Sequence, residues 1–219
     1  MSNITHTVWK FLDDNPNIRR EMNRGLINIS ALARYILKEK KISASLDSAI
    51  IAIRRYELDQ HNEIFNNAQK LLGKIVNLTT KNNLAEISLI KDSEVQRILP
   101  KIFGIINYVQ GDVLRIMQAN KSIRLLFDEK DLEKVSYLFP KEKILTVDKE
   151  LAEINIFIHP KMQETPGILA IIANELTINN INIVEFVTCP PEMLVIIKKE
   201  DLLKASEILY NLFESSKAN

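Results

Sequence analysis

The chain is nearly without cysteine. Cys189 is its only one, so no internal disulfide can form, and the cytoplasm is the expected setting. A reactive thiol needs an electropositive surrounding, and beside Pro190 this one reads as a small buried or half-buried residue. Glycine is scarce, five in 219 residues, and none cluster into a cofactor cradle. A Walker-type phosphate loop, a Gly-x-Ser-x-Gly elbow and a His-Glu-x-x-His pair are all missing. These absences argue against an enzyme and against a bound cofactor. His6, His61 and His159 have no ligand partners at metal-binding spacing, so no metal site is expected. No apolar run approaches the ~18 residues of a membrane span, and the N-terminus has no signal-peptide hydrophobic region. Neither sign of charge dominates: 29 Lys and Arg stand against 28 Asp and Glu, a net +1.

What is present suits a folded protein with one large domain or two to three small ones. Of the residues 46% are apolar and 26% charged. The charges are unevenly placed. Residues 1–73 hold 11 basic against 8 acidic side chains, and residues 74–219 hold 18 against 20. The basic front end permits contact with nucleic acid without demanding it.

Residues 1–73 read as helices. Val8, Trp9, Phe11 and Leu12 mark the first. Asn15-Pro16 is a cap followed by a first-turn proline, opening a short helix that stops at Gly25. Ser30 is expected to cap a third helix with Leu32, Ala33, Ile36 and Leu37 inward. After the basic turn Lys38–Ala44, Ser43 or Ser45 caps a fourth, with Leu46, Ala49, Ile50 and Ile53 on one side. Leu58 to Leu72 reads as a linker helix. The pair from Ser30 to Tyr56 resembles a helix-turn-helix. That resemblance implies duplex DNA as a partner, with Ser45 and Ser48 near base edges and Lys40, Lys41, Arg54 and Arg55 on phosphates. Asp47 would repel phosphate, and a helical dimerisation or enzyme-docking module explains the same pattern.

From Lys74 the sequence repeats itself. Leu84-Ala-Glu-Ile87 recurs as Leu151-Ala-Glu-Ile154, 67 residues on, and Asp131-Leu132 answers Asp201-Leu202 at 70. Pro100-Lys-Ile-Phe-Gly-Ile-Ile106 answers Pro166-Gly-Ile-Leu-Ala-Ile-Ile172. Each unit reads strand, strand, helix, strand, strand, helix. In the first unit Pro100 falls inside a helical pattern from Ser93 to Asn107, where a kink is expected.

Gln163 to Val184 is the most informative stretch. Thr165 suits a helix N-cap and Pro166 the first helical position, and Gly167 admits close approach to the backbone. Ile168, Leu169, Ile171, Ile172 and Leu176 form an apolar stripe, and Asn179-Asn180 can end the helix. With strands at 153–159, 181–186 and 193–197 and a helix from Lys199, this order resembles the ACT domain, a small-molecule-binding module of amino-acid metabolism. Thr165-Pro-Gly-Ile-Leu169, Asn180-Ile-Asn-Ile183 and Lys199-Glu-Asp-Leu202 carry the resemblance, and Phe103-Gly-Ile-Ile106 resembles the same helix in aspartokinase-type regulatory units.

The expected fold is therefore α+β: a helical, helix-turn-helix-like domain over 1–73, ferredoxin-like ACT-type units over 74–140 and 141–213, and a tail over 214–219. The family's order is βαββαβ. Here the fourth strand moves to the front of each unit, as Lys74–Thr79 and Lys143–Val147, giving a permuted ββαββα. A hairpin within each unit or strand exchange between units would both satisfy it. The resemblance implies an amino-acid ligand near the loop before the first helix. Free amides there, with the helix dipole, favour a carboxylate. The residues concerned are Glu164, Thr165, Pro166, Gly167, Ile168 and Leu169, with Asn180 and Asn182 bracketing the amino group. A homodimer that senses the ligand and regulates transcription is one expectation. A subunit that docks on a biosynthetic enzyme and confers feedback control is the other.

Overall fold

A computed structural model describes residues 3–56, 61–75 and 77–217. The chain divides into two compact units, Met1–Asn67 and Ala68–Asn219. Residues 57–60, where the linker helix was expected to begin, lie outside the described residues.

The first unit is built from α1 (Asn3–Asp14), α2 (Pro16–Asn23), α3 (Ile29–Glu39) and α4 (Leu46–Arg54). Pro16 opens α2 as expected, and Ser45 rather than Ser43 caps α4, accepting from the Ser48 amide. The cap of α3 is Asn28, not Ser30: its side chain accepts from the Ala31 amide at 3.0 Å and starts the helix two residues earlier. Val8, Phe11, Leu12, Leu32, Ala33, Ile36, Ala49 and Ile53 share one core, as their 3.6-residue spacing requires. Trp9 joins its edge and donates its indole N–H to the Ala52 carbonyl at 2.9 Å. After α4 the next described element is a helix, α5 (His61–Leu72), in place of the β-hairpin of a winged helix-turn-helix.

The second unit is a six-stranded antiparallel sheet ordered β2-β3-β1-β4-β6-β5. Its strands are β1 (Leu78–Ile90), β2 (Leu114–Gln118), β3 (Ser122–Asp128), β4 (Ile144–Phe157), β5 (Ile183–Cys189) and β6 (Glu192–Lys198). Between them lie α6 (Ser93–Ile98), α7 (Leu132–Leu138) and α8 (Ile168–Ile178), and α9 (Leu202–Lys217) comes last. At Pro100 the first-half helix tightens into a 3-10 turn over Leu99–Gly104, which accommodates the missing N–H. α9 runs past the expected end at 213, with Phe213 and Ser216 buried.

The segments expected as separate leading strands are continuous with the strands after them. β1 and β4 each run through as one long strand, so the order is strand, helix, strand, strand, helix, and neither leading segment folds back as a hairpin on the strand that follows it. The leading part of β1 pairs with the trailing part of β4, Leu78–Lys81 against Glu153–Ile156, and the leading part of β4 lies against Glu86–Leu89. This is the exchange alternative. The 67-residue repeat sets its register. Lys81–Glu153 has its counterpart in Glu86–Asp148, and Thr79–Asn155 in Ser88–Thr146, about a centre at Leu84–Leu151. Both strands break their pleat at equivalent residues, Asn83 (φ 56°) and Glu150 (φ 53°).

One face of the sheet carries helices: Ala85, Ile87 and Leu89 pack with Val95, Leu99, Ile102, Leu132 and Val135. Alternation predicts that the other face, with Glu86, Ser88, Glu153 and Asn155, meets water. Instead 84–89 and 151–156 are buried throughout. The sheet curls over its own inner face, where Leu84, Leu126, Leu151, Leu194 and Ile196 cluster. Side-chain reach shows the curl. Arg115 on β2 bonds Glu153 on β4, and Arg124 on β3 bonds Glu185 on β5. In a flat sheet those strands lie about 14 and 19 Å apart at ~4.8 Å per strand.

Candidate functional site

The two halves treat the segment after their long strand differently. In the first, Asp92 comes soon after β1 and caps α6, accepting from the Glu94 and Val95 amides at 3.0 and 2.9 Å. Lys143 bonds the other Asp92 oxygen at 2.5 Å and lies 3.4 Å from Glu94. The Lys143 hydrogen bond, with the Val95 amide, holds the Asp92 carboxyl below its usual range. That helix start is closed by protein atoms.

The equivalent of Asp92 in the second half is His159, 67 residues on. It caps only a 3-10 turn, Pro160–Met162, its Nδ1 accepting from the Lys161 amide. A loop intervenes before α8 begins. Thr165 is not the cap of α8: its hydroxyl donates back to the Lys161 carbonyl at 2.7 Å, which fixes the loop. The cap is Gly167, with φ 96°, and no side chain accepts from the first-turn amides. The left-handed backbone, rather than space, is what calls for glycine here. A Cβ at 167 would meet the Ala68 Cβ at an ordinary 3.6 Å. The first intrahelical bond runs from the Ile171 amide to the Gly167 carbonyl, leaving the N–H groups of 168–170 as the helix's orphan donors. Ile168 is buried, and Glu164, Pro166 and Leu169 are exposed.

Asn180 and Asn182 lie beyond the other end of α8, whose eleven residues span about 16 Å at 1.5 Å each. Asn179 is the C-cap, Asn180 adopts φ 59°, and Lys204 donates to the Asn179 carbonyl at 2.6 Å. The structure therefore gathers 164–169 in one place and sets 180 and 182 apart from them. Among the described residues no side chain caps the start of α8, whereas Asn179 and Lys204 close its C-terminus.

The inner face of the sheet holds charged groups that the sequence pattern did not single out. Arg115 grips Glu153 through two bonds, Nε at 3.1 Å and Nη2 at 2.9 Å, and Glu153 is 2% exposed. At the equivalent place in the other half Glu86 meets Glu185, two carboxylates with Arg124 between them. Glu86 is pushed up to about 7, chiefly by burial and then by the Glu185 charge, with Arg124 opposing. One oxygen of each carboxylate is buried without a hydrogen-bond partner. Lys81–Asp128 (2.9 Å) and Asn155–Glu192 (3.0 Å) complete the set. The sign in the sequence was a glutamate kept in both copies of Leu-Ala-Glu-Ile, inside an apolar run.

In the helical unit Lys40, Lys41, Ser45, Ser48, Arg54 and Arg55 are all exposed. Lys40, Lys41, Ser45 and Ser48 lie in sequence around the N-terminus of α4, and the two arginines are at its C-terminal end. The Ser45 and Ser48 hydroxyls bond each other at 2.8 Å, and the Lys40 ammonium sits 5.5 Å from the Phe11 ring centre. Among the described residues no cluster of three His, Cys, Asp or Glu could hold a metal ion, and no helix is long and apolar enough to cross a membrane.

No protein-family model and no curated protein matches the sequence. Solved structures do. The regulatory subunit of aspartate kinase from Thermus flavus is 14% identical with a TM-score of 0.53, over 64% of this chain and 99% of that one. The ligand-free regulatory subunit from Thermus thermophilus gives 14% and 0.51, over 64% and 99%. The aspartate kinase of Clostridium acetobutylicum gives 20% and 0.51, over 64% of this chain but 35% of the enzyme, so this chain matches about a third of that protein's length. At these identities the likeness is one of architecture. The chain carries the fold of aspartate kinase regulatory domains, the ACT-type fold its sequence resembles.

Proposed function

We propose that this is a non-enzymatic regulatory protein that senses an amino acid at the open start of α8. Residues 74–140 and 141–213 are read as two ACT-like units permuted by exchange of their leading strands. The carrying observation is the contrast between the halves: Asp92 and Lys143 close the start of α6, whereas no side chain caps α8. A carboxylate there would gain the first-turn amides and the helix dipole. Since Asn180 and Asn182 stand at the far end of α8, they can meet a ligand at 164–169 only from a second subunit. The reading therefore includes a homodimer.

A thermal-shift screen of the twenty amino acids tests it. One or a few should raise the melting temperature, and Gly167→Asn should abolish that shift. Asparagine tolerates the left-handed backbone and sets its own carbonyl over the amides. A screen with no hits leaves the units as scaffold.

The output runs through the helical unit, and DNA is the first reading. Its support is the exposed basic set Lys40, Lys41, Arg54 and Arg55. Retardation of duplex DNA should then weaken steeply between low and physiological salt, and should fail in the Arg54→Ala, Arg55→Ala double variant. Docking on an enzyme is the second reading. It is favoured by Leu26, Tyr35 and Ile51, large apolar side chains 64%, 53% and 48% exposed on the same unit. Unchanged retardation in the double variant, or none at low salt, decides for docking.

A further inference from the structure

The curled inner face holds a half-open cavity of about 250 Å³ between β2, β3, β5 and β6, remote in sequence from the start of α8. Its walls are mostly apolar, with Ile116, Met117, Leu126, Val187, Leu194 and Ile196 among them, and Arg115, Glu192 and Cys189 supply its polar part. A small metabolite fits this volume better than a drug-sized ligand.

The charges select which kind. Arg115 is answered by Glu153 through two hydrogen bonds, so the pair adds no net charge. Glu192 accepts from the Asn155 side-chain amide, which carries no charge to offset it. The local sum is one negative charge. Asn155 itself is 8% exposed, and its Oδ1 is buried without a hydrogen-bond partner. Glu192 is therefore the uncompensated charge of the cavity wall, and a carboxylate in an apolar wall favours a cationic donor. A bound carboxylate would bring a second negative charge to Glu192. A purely apolar guest would strip water from Glu192 and supply nothing in return.

We infer that this cavity binds a small organic cation, a primary ammonium carried on a short unbranched apolar body. The ammonium pairs with the Glu192 carboxylate, and the alkyl part lies along Met117, Leu126 and Leu194. The site is separate from the one proposed at α8, and each can fail without the other.

Cys189 makes the test direct, because it lines the cavity, is exposed and is the only thiol in the chain. Its reaction with an aromatic disulfide reagent is monitored in the full-length protein with n-hexylammonium, hexanoate or hexanol present. Hexylammonium should slow the reaction saturably, and hexanoate and hexanol should not. From butyl- to hexylammonium the half-protecting concentration should fall by about fourfold per methylene. Glu192→Gln should raise it about tenfold, as expected for loss of a charge-assisted bond. Met117→Trp, which fills the cavity and leaves Glu192 in place, should abolish protection, and Gly167→Asn should leave it intact. Equal protection by hexanoate or hexanol, no protection by hexylammonium, or full protection surviving in both cavity variants overturns the inference.

Discussion

Replacing Glu86 by glutamine should stabilise the protein at alkaline pH and leave it nearly unchanged in mild acid. Glu86 is 2% exposed and shares its surroundings with Glu185 on β5, Asp148 opposite it on β4, and a single cation, Arg124 on β3. Its folded value of about 7 lies above the ordinary 4.5. Between those values the folded state binds more protons than the unfolded state, so this group's contribution to stability falls as pH rises from about 4.5 through about 7. At ~1.4 kcal/mol per unit of pKa the full swing is roughly 3 kcal/mol, and relaxation of the site around the charged form makes about 2 a fairer figure. Glutamine stays neutral and can donate to Glu185, which frees Arg124 to pair with Glu185 alone. Urea unfolding at pH 5 and pH 8.5 measures it. The variant should match the parent at pH 5 and exceed it by about 2 kcal/mol at pH 8.5, worth about 4–8 °C in Tm for a chain of this size. Equal destabilisation at both pH values would refute the reasoning, because Glu86 would then be ionised and usefully paired throughout.

The packing makes three further outcomes testable. Arg115→Met should cost about 3 kcal/mol in chemical unfolding, because it strands the buried Glu153 carboxylate, and adding Glu153→Met should recover most of that loss. Gly73→Ala should lower Tm clearly, since a Cβ there would come within 2.5 Å of the Ser216 carbonyl oxygen, an overpacking cost of about 1–3 kcal/mol. Asp92→Ala should lower Tm by leaving the first-turn amides of α6 uncapped, and amide exchange should quicken at Glu94 and Val95.

Much of this architecture can be read from local chemistry. Helical spacing identifies the core of the first unit, and proline and serine mark its helix starts. The 67-residue repeat carries more than duplication, for it also aligns Leu84 with Leu151 and so sets the register of the two longest strands. Caps proved less legible. Asn28 and Ser30 are both competent caps two residues apart, and Thr165 has the right chemistry but turns its hydroxyl back to Lys161. The candidate site was half legible. Thr165-Pro-Gly marks a helix start, yet an eleven-residue helix separates it from Asn180 within one chain. Least visible was the inner face. Period-two alternation assigns Glu86, Glu153 and Asn155 to water, and only long-range curling, which brings β2 toward β4 and β3 toward β5, reverses that. No window of neighbouring residues contains that information.

The crossed pairing of β1 and β4 has a mechanical corollary. Because the leading part of each long strand pairs with the trailing part of the other, neither half can be cut away without baring a raw sheet edge on its sibling.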